Sequence, residues 1–196
     1  MKRREMLKMV GAAPAAVALT LTADETTLAA DAVARARGQA AQAGQAYKLR
    51  FFTPREYAAV VALADLIIPK DAKSVSASEA GAPEFIDYIV AEQPDRQVPM
   101  RGGLAWLDAE CLKRFDKPFL DATEAQRRQV LDDIAYPART RPELRHGARF
   151  FSSLRDLVAT GFWSSKVGVE DLGYAGNRPS LWDGPPPAVL KKLGLE

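Results

Sequence analysis

The chain has 196 residues, and 47% of them are hydrophobic, which suits one domain with a packed core. Its 27 Lys and Arg residues are nearly balanced by 25 Asp and Glu residues, so it lacks the positive excess typical of nucleic-acid-binding proteins. The single cysteine excludes an intramolecular disulfide, and one cysteine with one histidine cannot complete a zinc site.

Residues 1–30 are predicted to be a twin-arginine export signal. An arginine pair near the start precedes a weakly hydrophobic, Ala-rich run, which is too short for a conventional transmembrane helix of about 20 residues. The signal residues are Arg3, Arg4, Met6 and Leu7. Because the twin-arginine translocase carries folded proteins, this pattern predicts a folded, periplasmic protein.

Residues 31–48 are predicted to be a linker or mobile arm, because Ala, Gln, Gly and Arg dominate and large apolar residues are nearly absent. Two small-residue triplets near its start, Leu28-Ala29-Ala30 and Ala30-Asp31-Ala32, are candidate signal-cleavage sites. The sequence leaves both open, and it also leaves open an uncleaved anchor.

Residues 49–164 are predicted to form an all-α core of about five helices, since no strand-like alternation persists. Capping boxes at Thr53-Pro54-Arg55-Glu56 and Thr123-Glu124-Ala125-Gln126 mark two helix starts. The predicted helices begin at Pro54 and end before Pro69, run from about Ala82 to Pro94, from about Gly103 to Arg114, from Thr123 to before Pro137, and, as the longest, from Pro142 through Phe162.

Residues 165–196 are predicted to be an extended, Gly- and Pro-rich arm with a short closing helix near residues 188–193. This segment carries aromatic side chains that a solvated tail seldom keeps, so they are expected to rest on the chain's own helices or on another protein. The predicted partner-binding residues are Trp163, Tyr174, Asn177 and Trp182.

No motif for catalysis or cofactor binding is visible in the sequence. It contains no Gly-x-Gly-x-x-Gly turn, no phosphate-binding loop and no Cys-x-x-Cys-His haem site. The remaining candidates are interpreted as structural or surface groups: Cys111 and His146 as structural, Asp132/Asp133 and Asp108/Glu110 as a solvated face, and the basic run Arg139, Arg141, Arg145 and Arg149 as solvated or partner-facing.

Several ordered blocks resemble the gluconate 2-dehydrogenase subunit 3 family, from the signal to the C-terminus. The blocks are Phe52-Thr53, Leu63-Ala64-Asp65-Leu66-Ile67-Ile68-Pro69, Glu79-Ala80-Gly81-Ala82-Pro83-Glu84-Phe85-Ile86-Asp87, Gly103-Leu104-Ala105-Trp106-Leu107-Asp108, Phe150-Phe151, Gly161-Phe162-Trp163-Ser164-Ser165, Leu172-Gly173-Tyr174-Ala175-Gly176-Asn177 and Trp182-Asp183-Gly184. Any one block is weak, whereas their order and spacing together are specific.

The resemblance implies a non-catalytic small subunit that accompanies a large flavoprotein of the glucose-methanol-choline class. The flavoprotein would hold FAD and oxidise a sugar, commonly with a multihaem cytochrome c subunit that takes the electrons. The signal would then export the folded flavoprotein bound to this chain, and the complex would lie at the periplasmic side of the inner membrane. Two alternatives stay open: a free-standing periplasmic helical enzyme, and an export chaperone that leaves after delivery.

Overall fold

The computed structural model describes residues 21–173 and 187–194, and every regular element in these ranges is helical. The α-helices are α1 (Ala23–Gln42), α2 (Pro54–Ile67), α3 (Ala77–Ala80), α4 (Ala82–Glu92), α5 (Pro94–Phe115), α6 (Glu124–Ile134), α7 (Arg145–Trp163), α8 (Lys166–Asp171) and α9 (Pro187–Leu193). Single turns of 3-10 helix, Phe119–Asp121 and Pro142–Leu144, precede α6 and α7. The predicted all-α class is confirmed.

Helix α4 lies at the centre of the core. Helices α1, α2, α3, α5 and α7 all contact it, and most of its residues are buried. The buried residues include the apolar Phe85, Ile86 and Val90 together with the acidic Glu84 and Asp87. Because buried carboxylates are costly unless they are paired, the position of α4 implies that other elements supply partners for these two residues.

Local capping signals account for the starts of α2 and α6. The Thr53 amide donates to Glu56 Oε2 at 2.8 Å, and the Glu56 amide donates to Thr53 Oγ1 at 3.3 Å. Thr123 and Gln126 exchange the same two hydrogen bonds at the start of α6, at 2.9 and 3.3 Å. Both capping boxes predicted from the sequence are therefore confirmed.

Helix α5 is longer than predicted. It begins at Pro94 rather than near Gly103 and spans 22 residues, whereas α7 spans 19. The prediction that the helix after Pro142 is the longest was therefore wrong. Pro94 does end the preceding helix, but it also occupies the first position of α5, where a missing N–H costs little because that donor has no partner within the helix.

The prediction of a linker over residues 31–48 was wrong for the part up to Gln42, because α1 covers it. Ala has the highest intrinsic helix propensity, so a segment that is poor in large apolar residues can still be a stable helix. Small side chains also let α1 approach the core closely, where Ala29 is fully buried and Val33 is 6% exposed. The core therefore begins before residue 49.

The C-terminal arm is not extended at its start. Ser165 caps α8, which covers residues that were predicted to be non-helical, and α9 agrees with the predicted closing helix. The predicted anchors Tyr174, Asn177 and Trp182 lie outside the described residues, as do the signal residues Arg3, Arg4, Met6 and Leu7.

Within the described ranges, no helix combines the length and hydropathy of a bilayer span.

Candidate partner-binding surface

The end of α7 and the start of α8 form a tight corner that presents Trp163. Ser165 donates from its hydroxyl to the Phe162 carbonyl at 2.7 Å and accepts from the Gly168 amide at 3.1 Å. A Cβ on Gly168 would lie 2.0 Å from the Phe162 carbonyl oxygen, so only glycine lets α8 fold back this closely. The corner is thus fixed by local chemistry.

Trp163 is the one predicted partner-binding residue that lies within the described ranges. Its ring packs edge-on against Phe162, with centroids 4.8 Å apart and planes at 89°. Phe162 is buried in the core, whereas Trp163 remains 39% exposed. A large aromatic side chain held on one side by the core and open on the other is the type of residue that dominates many protein interfaces.

Two further large apolar side chains are exposed near this corner. Val167 on α8 is 36% exposed, and Leu172, just after α8, is 60% exposed. The predicted partner-binding residues Tyr174, Asn177 and Trp182 follow in the sequence. The corner therefore lies directly before the predicted partner-binding residues in the sequence.

A second candidate surface is a groove of about 510 Å³ between α5 and α7. Its floor exists because two glycines admit aromatic rings: Phe150 lies over Gly103, and Trp106 lies over Gly147. The groove is lined by Arg96, Pro99, Met100, Gly102, Gly103, Trp106, His146, Arg149, Phe150 and Ser153. Its walls are mainly apolar, and its polar groups include three basic side chains.

The basic groups of the groove differ in their surroundings. Arg96 is buried, its Nε donates to Gln93 Oε1, and burial lowers the pKa of its guanidinium while the nearby Glu25 opposes that effect. His146 and Arg149 are exposed. The groove therefore combines an apolar floor with positive charge, which suits a partner segment that carries an apolar and an acidic side chain.

Two members of the basic run that was predicted to be solvated or partner-facing, Arg141 and Arg149, have different surroundings. Arg141 pairs with Asp133 at 3.7 Å and with Glu143 at 3.4 Å, so it serves the chain's own acids. Arg149, by contrast, lines the groove. His146 also lies there, a location that its position on a helix face alone could not show.

The carboxylates predicted to form a solvated face are partly structural. Asp108 accepts from the Phe119 amide at 2.9 Å. Glu110 and Asp133 hold Arg114 from two helices, at 2.7 and 2.6 Å. The expectation of a solvated face was therefore wrong for Asp108 and Glu110, which are half-buried, whereas Asp133 is exposed but paired. The partners of Asp108 and Asp133 lie on other elements, which sequence spacing does not reveal, while Glu110 pairs with Arg114 at i,i+4 within α5.

Cys111 was predicted to be a core residue, and the structure confirms this. Its side chain is fully buried, and burial followed by the charge of Asp108 raises the pKa of its thiol. Across residues 21–173 and 187–194, no group of three or more His, Cys, Asp and Glu side chains is placed to hold a metal ion.

Comparison with known proteins gives one match. The family model for gluconate 2-dehydrogenase subunit 3 matches residues 54–184, which is more than half of the chain. Neither the curated proteins nor the solved structures contain a match. The matched range includes the Trp163 corner and the α5–α7 groove, whereas α1 precedes it.

Proposed function

The chain belongs to the gluconate 2-dehydrogenase subunit 3 family, and we propose that it is the non-catalytic small subunit of a membrane-associated, FAD-dependent sugar dehydrogenase complex. Its partner would be a large flavoprotein of the glucose-methanol-choline class, which oxidises a CH–OH group of a sugar. The observation that carries the proposal is the family match across residues 54–184.

In this proposal, the cofactors belong to the partners. FAD sits in the large subunit, since this sequence has no Gly-x-Gly-x-x-Gly turn, and haem c sits in a multihaem cytochrome subunit where one is present. The small subunit contributes surface. Trp163 supports that role because it is positioned by Phe162 and by the α8 corner, yet is exposed by more than a third.

The export function is the second half of the proposal. Arg3 and Arg4 would direct this chain and the folded flavoprotein bound to it through the twin-arginine translocase. The complex would then lie in the periplasm, attached to the inner membrane through its other subunits. Replacing both arginines with lysine is expected to leave both proteins in the cytoplasm, which immunoblots of the cell fractions would show.

The contact is tested by co-purification of the tagged chain with its large flavoprotein subunit. Trp163→Ala is expected to weaken the complex about 30-fold, because truncating an aromatic anchor at an interface costs about 2 kcal/mol or more. Tyr136→Ala is the matched control, since Tyr136 is 64% exposed and lies on a different part of the chain. Unchanged circular dichroism would show that the helical core is intact in both variants.

The outcomes also separate the alternatives. Stoichiometric recovery with the flavoprotein from the periplasm supports a permanent subunit, whereas recovery only from the cytoplasm would indicate a transient export chaperone. Dehydrogenase or hydrolase activity of this chain alone would favour a free-standing enzyme. Equal retention of the flavoprotein by wild type and Trp163→Ala would remove Trp163 from the interface.

A further inference from the structure

Helix α1 has a complete capping box at its start. At Thr22 the backbone amide donates to Glu25 Oε2 at 2.8 Å, and the Glu25 amide donates back to Thr22 Oγ1 at 3.2 Å. The bond from the Thr22 amide, followed by one that the Thr22 hydroxyl donates to Glu25 Oε2 at 2.9 Å, lowers the pKa of the Glu25 carboxyl. The other carboxylate oxygen of Glu25 accepts from Gln93 Nε2 at 3.2 Å. The start of α1 is thus tied to the junction of α4 and α5.

The middle of α1 is part of the core. Ala29 is fully buried and belongs to the same apolar cluster as Leu63, Ile86 and Leu154. Its neighbour Leu28 is 65% exposed, so the helix has one inward and one outward face at this point. Removing Ala29 would therefore uncover part of this apolar cluster.

The end of α1 is held by charge. Arg37 Nε lies 3.4 Å from Glu84 Oε1, and Arg37 Nη2 donates to the Glu79 carbonyl at 3.1 Å. A Cβ on Gly81 would lie 2.1 Å from Arg37 Nη1, and Gly81 has a φ of +95°, so glycine meets two requirements there. Arg37 therefore pairs with one of the two carboxylate oxygens of the buried Glu84.

The segment after α1 is anchored to α4. The backbone amides of Arg50, Phe51 and Phe52 donate to the carboxylate of the fully buried Asp87, at 2.7, 3.0 and 2.9 Å. From Thr22 to Phe52, the chain is therefore fastened to α4 and its ends at four places. It folds as part of the domain rather than as a leader.

We infer that the exported chain retains all of α1 and that the signal-processing site lies before Thr22. The small-residue triplet there is Ala16-Val17-Ala18, which would leave Leu19 as the first residue. This inference rests on the proposed export function, and it concerns a segment that precedes the range matched by the family model.

On the twin-arginine route, the chain folds before the signal peptidase cuts it, and this order disfavours a cut within α1. A protein that crosses the membrane folded presents α1 to the signal peptidase already formed. A cut after residue 30 or 32 would require the peptidase to unwind a capped helix and to extract Ala29 from the core. Both triplets that the sequence suggested within residues 28–32 are thereby disfavoured.

The first test is the intact mass of the C-terminally tagged chain purified from the periplasm. The expected N-terminus is Leu19, and any cut that leaves Thr22 in place agrees with the inference, whereas an uncut chain or an N-terminus after Thr22 overturns it. Ala18→Gln is expected to prevent the cut and to leave a heavier chain. Ala30→Gln, the matched control, is expected to leave the processing site unchanged.

The second test measures how much α1 contributes to the stability of the full chain, whether or not the chain is exported. Ala29→Asp places a charge in the core and is expected to lower the melting temperature of the full chain by at least about 6 °C, whereas Leu28→Asp should change it by less than about 2 °C. Should Ala29→Asp fail to accumulate, Ala29→Val gives the milder test, with an expected loss of about 2–6 °C from overpacking.

The two tests fail separately. If neither Ala29 variant melts differently from Leu28→Asp, α1 is not part of the fold and the inference is wrong even if export succeeds. If the wild-type chain never reaches the periplasm, the proposed export function is wrong, and the melting data still report on α1.

Discussion

Replacing each of two adjacent glycines in α5 with alanine is expected to change the stability of the chain in opposite directions. A Cβ added to Gly103 would lie 1.9 Å from Cδ2 and 2.1 Å from Cγ of Phe150. A Cβ added to Gly102 would meet nothing within 4 Å. Both residues have ordinary helical backbones, because neither is among the residues with positive φ. The two substitutions therefore differ only in what the new methyl group contacts.

The magnitudes follow from two competing effects. Alanine in place of glycine within a helix stabilises by up to about 1 kcal/mol, and Gly102→Ala is expected to realise that gain. Gly103→Ala has the same backbone gain, but the ring of Phe150, only 7% exposed, must move by more than 1 Å. Overpacking of this kind costs about 1–3 kcal/mol or more, so the net effect is a loss of about 1–2 kcal/mol.

Thermal and urea unfolding of the two variants provide the measurement. At about 2–4 °C per kcal/mol for a chain of this size, Gly102→Ala should melt about 2–4 °C higher and Gly103→Ala about 2–8 °C lower than wild type. Adding Phe150→Leu to Gly103→Ala should recover part of the loss, because a smaller side chain leaves room for the methyl group. Equal stabilisation by both alanines would refute the close packing of α5 on α7.

Two further predictions concern buried polar groups. Asp87→Asn should lower the free energy of unfolding in urea by about 2 kcal/mol, because an amide has only one acceptor oxygen for the three backbone donors of residues 50–52. The control is Asp132→Asn at an exposed position. Equal stability of the two variants would contradict the anchoring role of Asp87. Cys111 should react with a thiol reagent only after unfolding, since burial and Asp108 raise its pKa, and complete reaction within minutes in the native state would show that the core opens there.

The features that the sequence predicted well are local ones. A capping box spans four residues, and both of its hydrogen bonds form within that span, so the starts at Thr53 and Thr123 needed no knowledge of the fold. The all-α class followed from the same kind of short-range periodicity. Cys111 was placed in the core because its neighbours at helical spacing are apolar.

The features that were missed depend on distant contacts. Thr22-Ala23-Asp24-Glu25 is also a capping box and was visible in the sequence, but the low hydrophobicity of the following residues favoured a linker. What makes α1 part of the domain is the placement of Glu84 and Gln93, which lie far along the chain and pair with Arg37 and Glu25. Composition cannot show that a small residue such as Ala29 is buried in the core.

Proline was interpreted too simply as a helix terminator. Pro94 ends α4 and at once begins α5, and Pro99 lies inside α5. A proline at the first helical position satisfies both roles, because its fixed φ suits a helix and its missing donor would have had no partner. Of the two glycines that follow Pro99, only Gly103 serves the packing of α5 on α7.

Several residues in the blocks that carry the family resemblance have a clear structural role. Glu84 and Asp87 anchor the N-terminal segment, Gly103 receives Phe150, and Phe162 ties the last long helix to α8. Packing and hydrogen bonding within the chain account for these residues. They do not account for the exposed face of Trp163 or for the apolar, positively charged groove between α5 and α7. Because these two features remain open to solvent in the folded chain, they are where a partner subunit should be sought.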